Sequence, residues 1–511
     1  MKIYRIQESF VFTIFGASGD LAQLKIFPAL FALAEQKRFP QKFWIVGYAR
    51  TIKKTEDFRN FFEDSVRKSK KKKLNEHQEK VLKELLNHVF YFSGQYDQEE
   101  DFQRYKEFCY SLTQKRKYMH VAYFSVPPTI FEPIVQNLAR IRDSQSDDIR
   151  LVLEKPFGRD EHSARHLFHF IGQYFEEDQI YLLDHYLGKK AVRSLIPLRH
   201  MNRILNLMLK GREVANIQIS ALESVGVEHR LDYFDQVGTL KDMIQSHMLQ
   251  MLALTTMSIP IKKDTSSIQK EKSAVLSALE FSPEKSSICL GQYEGYKKQS
   301  AKVKDSETPT FVALRLQINR ESWYGVPIFL RAGKKLSSKN TYITLELKKF
   351  EFQSSDHEPN RVVIELYPDE KIHIKLLDED GATARLGEIG ASESIACQGD
   401  YCLPEHGLLL LDVIRNEKMH FLSFSEILAS WQLIDAVDHF LEEQKRKPVQ
   451  YLAGSSGPES QTLLMEGTPF RWYDIHEQNG NKGMRKYFVF QIQTYFGKKH
   501  ENRFFLGKNC A

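Results

Sequence analysis

The sequence predicts an α/β region built on a doubly wound parallel sheet, followed by a larger β+α region with a big, mainly antiparallel sheet. Three observations carry that expectation. Near-continuous apolar runs alternate with helical segments up to about residue 180; later strands alternate apolar with polar residues; and no low-complexity linker divides the two. The regions are drawn at 1–180 and 181–475, leaving a tail, 476–511, of unassigned role.

Each element has its own warrant. Phe10–Phe15 is almost wholly apolar, as a strand covered on both faces must be. A glycine turn follows, then an apolar segment, Ile26–Ala34, with Pro28 inside it. The proline lacks an amide hydrogen, so a short helical turn should come first and the helix restart near it. Phe43–Gly47, His120–Val126 and Ile149–Leu153 supply further strands, with a helix over Ile130–Arg142 between the last two. In the second region Ala215–Leu222, Phe311–Ile318, Tyr342–Leu347, Val362–Tyr367 and Ile372–Leu377 have strand character. Helical stretches at Gly238–Met257 and Phe424–Gln444 interrupt them.

The totals bound the function. A chain of 511 residues exceeds one small core, and 42% hydrophobic with 27% charged residues is ordinary globular usage. The longest notable apolar stretch, Leu408–Leu411, is far too short for a bilayer, and Met1–Arg5 lacks the apolar core of a secretory signal. A cytoplasmic protein without membrane contact is expected. Five scattered cysteines, with only Cys397 and Cys402 near one another, are expected to be reduced thiols and no metal site. The net charge of +6 suits anionic small molecules. The basic run Arg67–Lys73 carries no interleaved aromatics, so a solvated helix end or loop is expected and nucleic-acid binding is not.

The first strand runs straight into Gly16-Ala17-Ser18-Gly19-Asp20-Leu21-Ala22. Glycine permits a tight turn and a close backbone approach, and the amides of the following helix start can hydrogen-bond a pyrophosphate. Gly16, Ser18, Gly19, Asp20 and Leu21 are therefore the expected dinucleotide contacts of a Rossmann-like domain. The spacing is G-x-x-G-x-x-A, and a glycine pair alone is most often just a turn; the strand before it adds the weight. The second strand ends Tyr48-Ala49-Arg50-Thr51 with no acid to hold a ribose 2′-hydroxyl. A guanidinium can grip a 2′-phosphate bidentately, so Arg50 points to NADP over NAD.

Further motifs accumulate in order: SVPPTIFEPI at Ser125–Ile134, EKPFGRD at Glu154–Asp160, DHYLGK at Asp184–Lys189 and DMIQSHMLQ at Asp242–Gln250. GQYEGY at Gly291–Tyr296, GVPIFLRAGKKL at Gly325–Leu336 and GSSGP at Gly454–Pro458 follow. With these the chain resembles the glucose-6-phosphate dehydrogenase family from about Val11 to about Trp472. The resemblance implies NADP-dependent oxidation of glucose 6-phosphate to the 1,5-lactone, the entry step of the pentose phosphate pathway, by a homodimer or homotetramer.

That reaction needs a base within reach of the C1 hydroxyl. The resemblance makes His247 the base and Asp184 the carboxylate that orients it. It assigns the 6-phosphate to His185, Tyr186 and Lys189, with Lys339 as a fourth group. Sugar hydroxyls fall to Glu223, Asp242 and Lys334, and Lys155 lies between cofactor and substrate. The Lys155–Pro156 bond is expected to be cis, aiming the lysine inward. Taken singly, each charged residue would be read as solvated surface, and a lone histidine as a satisfied core side chain.

Departures from the family pattern are Leu182, where arginine is usual, Tyr367 for glutamine, Leu231-Asp232 for a glycine pair, and Ser246 for asparagine. Two alternatives stay open: a dehydrogenase of a non-phosphorylated sugar, and a silent paralogue that binds NADP or sugar phosphate without turnover.

Overall fold

The computed structural model describes residues 8–70, 72–143, 148–350, 357–377, 383–390 and 403–475. The tail 476–511, and with it Cys510, lies outside them, as do Cys397 and Cys402.

The first sheet has six parallel strands: β1 (Phe10–Phe15), β2 (Phe43–Ala49), β3 (Val89–Ser93), β4 (Met119–Phe124), β5 (Ile149–Glu154) and β6 (Ile180–Leu183). Their order, β3-β2-β1-β4-β5-β6, reverses direction between β1 and β4, which opens a crevice at the carboxyl ends of those two strands. β1, β4 and β5 are buried along their whole length because helices cover both faces, hence their apolar runs. After the glycine turn a π-helical turn, Ala22–Ile26, precedes a helix, Phe27–Glu35, with proline in its first turn, as the position of Pro28 predicts.

The second sheet has ten strands: β7 (Val214–Leu222), β8 (Leu279–Phe281), β9 (Ile288–Tyr293), β10 (Phe311–Ile318), β11 (Ile328–Gly333), β12 (Asn340–Leu347), β13 (Arg361–Tyr367), β14 (Lys371–Leu377), β15 (Thr383–Gly390) and β16 (Val449–Tyr451). Its path is β15-β14-β13-β12-β7-β11-β10-β9-β16, with β8 beside β10. Pairing is antiparallel except for β7 with β11 and β9 with β16. The mainly antiparallel expectation holds, and the parallel β7–β11 pair proves to matter for the site.

The helical stretch expected over Gly238–Met257 is present: Gly238 takes φ +65° and separates it from the helix Leu231–Thr239, Leu240–Met248 is a π-helix, and an α-helix continues over Leu249–Thr256. Apolar periodicity runs through both segments, so the pattern alone does not tell the π-turns from the α-turns. The helix Thr55–Ser69 ends in the basic run, where Arg67 is paired with Glu63 and Glu79 at 2.7 and 2.6 Å. Cys109 and Cys289 are free and buried.

A continuous buried cluster joins Val11 and Phe15 of the first sheet to Ile217, Leu314 and Leu330 of the second. The opposite face of the first sheet packs the helix Phe27–Glu35 and a late helix, Glu405–Arg415, which returns from the far end of the chain. No helix among the described residues is long and apolar enough to cross a membrane.

Candidate functional site

Gly16 leaves β1 at the reversal point with φ +86°, and its amide donates to the Tyr48 carbonyl at 2.9 Å. A Cβ there would collide with the Ser125 carbonyl oxygen at the end of β4. The chain thus needs glycine both for the handedness of the turn and for the closeness of the two strand ends. The next helix begins at Asp20; Ser18 and Asp20 are exposed, Gly19 and Leu21 half-buried. The first amides of a helix have no intrahelical partner and can hydrogen-bond an anion. Ser125 Oγ is buried there without a hydrogen-bond partner. Arg50 is exposed one residue past β2, with its guanidinium 5.8 Å from the centre of the Tyr96 ring. Tyr96 adjoins Gly16 as well, and burial raises its phenol above the usual value. A tight bare turn, an orphan hydroxyl and an exposed guanidinium suit a dinucleotide. Tyr96 had no signal in the sequence: an isolated tyrosine in a loop is unremarkable until folding sets it beside Gly16.

The second half of the site lies where the ends of β5 and β6 meet one edge of the large sheet. Lys155 follows β5 through a cis bond to Pro156, and Asp184 follows β6. Glu223 and Lys334 immediately follow β7 and β11, which are paired in parallel with Leu222 opposite Gly333. Parallel neighbours end side by side, so Lys334 Nζ reaches Glu223 Oε2 at 2.5 Å. The π-helix Leu240–Met248 brings Asp242 and His247 across this edge; π-turns are wider than α-turns and recur at functional sites.

The side chains form one connected set. His247 Nδ1 is 2.6 Å from Asp184 Oδ1, and Lys155 Nζ is 2.5 Å from His247 Nε2. With a carboxylate on one ring nitrogen and an ammonium on the other, the tautomer that satisfies both has its hydrogen on Nδ1, leaving Nε2 as acceptor. Lys155 also approaches Asp242 Oδ1 at 3.7 Å, and Lys334 approaches Asp242 Oδ2 at 3.9 Å. His247 and Asp184 are 2% and 1% exposed, which removes water as a competitor for the pair. Burial would raise the Asp184 carboxyl, but His247, Lys155 and the Tyr186 amide together hold it below its ordinary value. Burial lowers His247; Asp184 opposes that and Lys155 reinforces it, leaving the imidazole below its ordinary value. Asp242 is likewise held low by Lys155, Lys334 and Arg230 against its burial.

On the other side of His247 stand the groups of the DHYLGK turn. The Tyr186 ring stacks on His247 with centroids 4.1 Å apart, and His185 meets it edge-on at 4.7 Å. Burial, then the neighbouring cations, push His185 well below its usual value. Lys189 donates to Glu405 Oε1 at 2.7 Å. Lys339 is exposed just before β12, its ammonium 4.5 Å over the Tyr367 ring. Asp184, His185 and His247 are close enough for one cation, but the Lys155 ammonium already takes the free imidazole lone pair. A metal would have to displace a like charge.

Glu405 and His406, at the start of the helix Glu405–Arg415, were missed by sequence reasoning. His406 lies parallel to His185 with centroids 6.0 Å apart and has Glu154 at 3.7 Å behind it. They sit more than two hundred positions from the turn they touch, and the apolar run after them reads only as core. Of the departures, Leu182 is 1% exposed in the shared core and bridges to Leu422. Leu231 is buried too, and Asp232 pairs with Lys302 at 2.5 Å on the surface.

A cleft of about 670 Å³ runs beside this set, lined by Pro128 and Thr129 beyond β4 and by Lys155, Asp184, Asp242 and Ser246. Gly16 packs on Ser125 and Val126, so the same loop after β4 joins the glycine turn to the set around His247.

Family models match both halves: "Glucose-6-phosphate dehydrogenase, NAD binding domain" over residues 13–194 and "Glucose-6-phosphate dehydrogenase, C-terminal domain" over residues 196–473. The chain is 36% identical over 474 residues to Glucose-6-phosphate 1-dehydrogenase 5, cytoplasmic, of Arabidopsis thaliana, covering 89% of this chain and 90% of that one. Glucose-6-phosphate 1-dehydrogenase 1, chloroplastic, of the same plant is 34% identical, covering 91% and 84%. A solved structure of glucose-6-phosphate dehydrogenase in complex with its substrate glucose-6-phosphate superposes with TM-score 0.83 at 30% identity, covering 92% of this chain and 100% of that one.

Proposed function

The chain belongs to the glucose-6-phosphate dehydrogenase family, and from that premise we propose that it oxidises D-glucose 6-phosphate to 6-phospho-D-glucono-1,5-lactone with NADP. The observation that carries the reading is the buried Asp184–His247 pair, whose accepting nitrogen faces Lys155 within reach of Asp242, Lys334 and Glu223.

His247 Nε2 takes the proton of the C1 hydroxyl. Asp184 keeps the ring in the right tautomer and stabilises the imidazolium as it forms. Glu223, Asp242 and Lys334 hold the sugar hydroxyls, and Lys155 lies between sugar and cofactor. His185, Tyr186 and Lys189, with Lys339 beside them, receive the phosphate. Binding a remote dianion in this way orients the reacting carbon. Bound in the crevice, NADP would supply the acceptor for the hydride of C1. Gly16, Ser18, Gly19, Asp20 and Leu21 receive the pyrophosphate and Arg50 the 2′-phosphate. A homodimer or homotetramer in the cytoplasm, the compartment named for the first relative, completes the proposal.

The test is reduction of NADP followed at the nicotinamide absorbance, with glucose 6-phosphate and free glucose in parallel. Brisk reduction with the phosphate ester alone is expected. Equal rates with both sugars would remove the DHYLGK turn from phosphate binding. No reduction with either, while both ligands bind, would establish the silent paralogue instead and make Leu182→Arg the first change to try.

A further inference from the structure

The Lys155 ammonium has three acceptors, and all of them lie on the π-helix Leu240–Met248. His247 Nε2 is 2.5 Å away, the Asp242 carbonyl oxygen 3.2 Å and Ser246 Oγ 3.4 Å. Ser246 in turn donates to the Asp242 carbonyl at 2.8 Å, which leaves its lone pairs turned toward the lysine. A wide turn puts residues four and five apart on one face, so Asp242, Ser246 and His247 form a single seat. One of the three acceptors is the atom that takes the proton in the proposed reaction.

We infer that Ser246 is a positioning residue that seats the Lys155 ammonium on Nε2 of His247 while the sugar is absent, so that the base stays unprotonated until the C1 hydroxyl displaces the lysine. The inference rests on His247 being the base. An ammonium donating to Nε2 excludes a proton there, and an imidazolium beside it would face a like charge. Asp184 pulls the other way, since a carboxylate at Nδ1 favours the imidazolium. The groups around the ring are Lys155 from beyond β5, Asp184, His185 and Tyr186 from beyond β6, and Asp242 on its own helix, with His406 behind His185. Among them Lys155 is the cation in direct contact with Nε2, so loosening its seat hands the balance to Asp184.

Once the sugar occupies the site the lysine has left Nε2, and Ser246 no longer acts on the base. The signature is therefore a split between two pH profiles. That of kcat/KM reports the free site and that of kcat the occupied one. Both are measured with NADP saturating and glucose 6-phosphate varied in the wild type, Ser246→Ala and Ser246→Thr. A base works unprotonated, so activity falls as the pH drops through its pKa. A base that protonates more readily loses activity at higher pH. In Ser246→Ala the acid limb of kcat/KM should move up by about half a pH unit, the scale of one hydrogen bond at the weak end of the usual range, as its 3.4 Å length warrants. The limb of kcat should stay, and Ser246→Thr, which keeps the hydroxyl, should restore the wild-type profile. An unmoved limb in Ser246→Ala, both limbs moving together, or Thr behaving as Ala overturns the inference. Wild-type protein that reduces no NADP at any pH overturns the functional reading first, and this inference with it. Alanine is a good helix former, so the variant carries no folding handicap of its own.

Discussion

The glycine turn and the acid–base cluster are built on opposite plans. Between Gly16 and Leu21 the work falls to backbone within six consecutive residues, and the side chains there are small or exposed save the half-buried Leu21. Around His247 it falls to side chains drawn from five separate elements, Lys155 to Lys334 in sequence, each buried or half-buried and each held by another. A backbone site is constrained by shape; a side-chain site is constrained by charge. The two halves should therefore fail differently, the first through strain and the second through chemistry.

The largest effect is expected at the chemical half. His247→Ala removes the proposed proton acceptor and should lower turnover by about two to four powers of ten, the usual worth of a general base, while glucose 6-phosphate still binds. Stopped-flow reduction of NADP together with equilibrium binding measures both. Near-normal turnover would move the base elsewhere and dissolve the contrast.

That contrast also explains how much the sequence revealed. β1 is read to the residue because both its faces are buried and its apolar run is unbroken. The glycine turn is read because its residues are contiguous and follow the strand directly. His247 and Asp184 gain their meaning only through resemblance, since a histidine on an apolar helix has a bland explanation and its partner is 63 positions away. Glu405, His406 and Tyr96 escaped altogether: their role comes from long-range packing that leaves no local pattern. The π-helix Leu240–Met248 escaped for another reason, because apolar periodicity does not separate π-turns from α-turns.

Strain should dominate in the turn. Gly16→Ala adds a methyl against the Ser125 carbonyl and forces φ +86° on an alanine. A loss of about 1–3 kcal/mol is expected, with weaker binding of both NADP and NAD. Gly19→Ala is the control: its Cβ would lie 3.3 Å from the Gly16 carbonyl, a contact that a small adjustment relieves. It should cost under about 1 kcal/mol. Thermal unfolding with and without NADP separates them, and equal losses at both positions would show that the turn is not built around Gly16.

The smallest effect, and the one that joins the two plans, belongs to Arg50. It is a side chain in a backbone site, exposed and resting near Tyr96, so its removal leaves the fold within about 0.5 kcal/mol. What it should change is selectivity. A charged hydrogen bond to a phosphate is worth about 1.5–3 kcal/mol, so Arg50→Ala should weaken NADP by roughly ten- to a hundredfold and leave NAD nearly untouched. The ratio of the two dissociation constants is the quantity to measure, because a general disturbance of the turn lowers both and cancels. Equal losses would mean that Arg50 supports the turn through Tyr96, and that the choice between the cofactors is made by shape here as well.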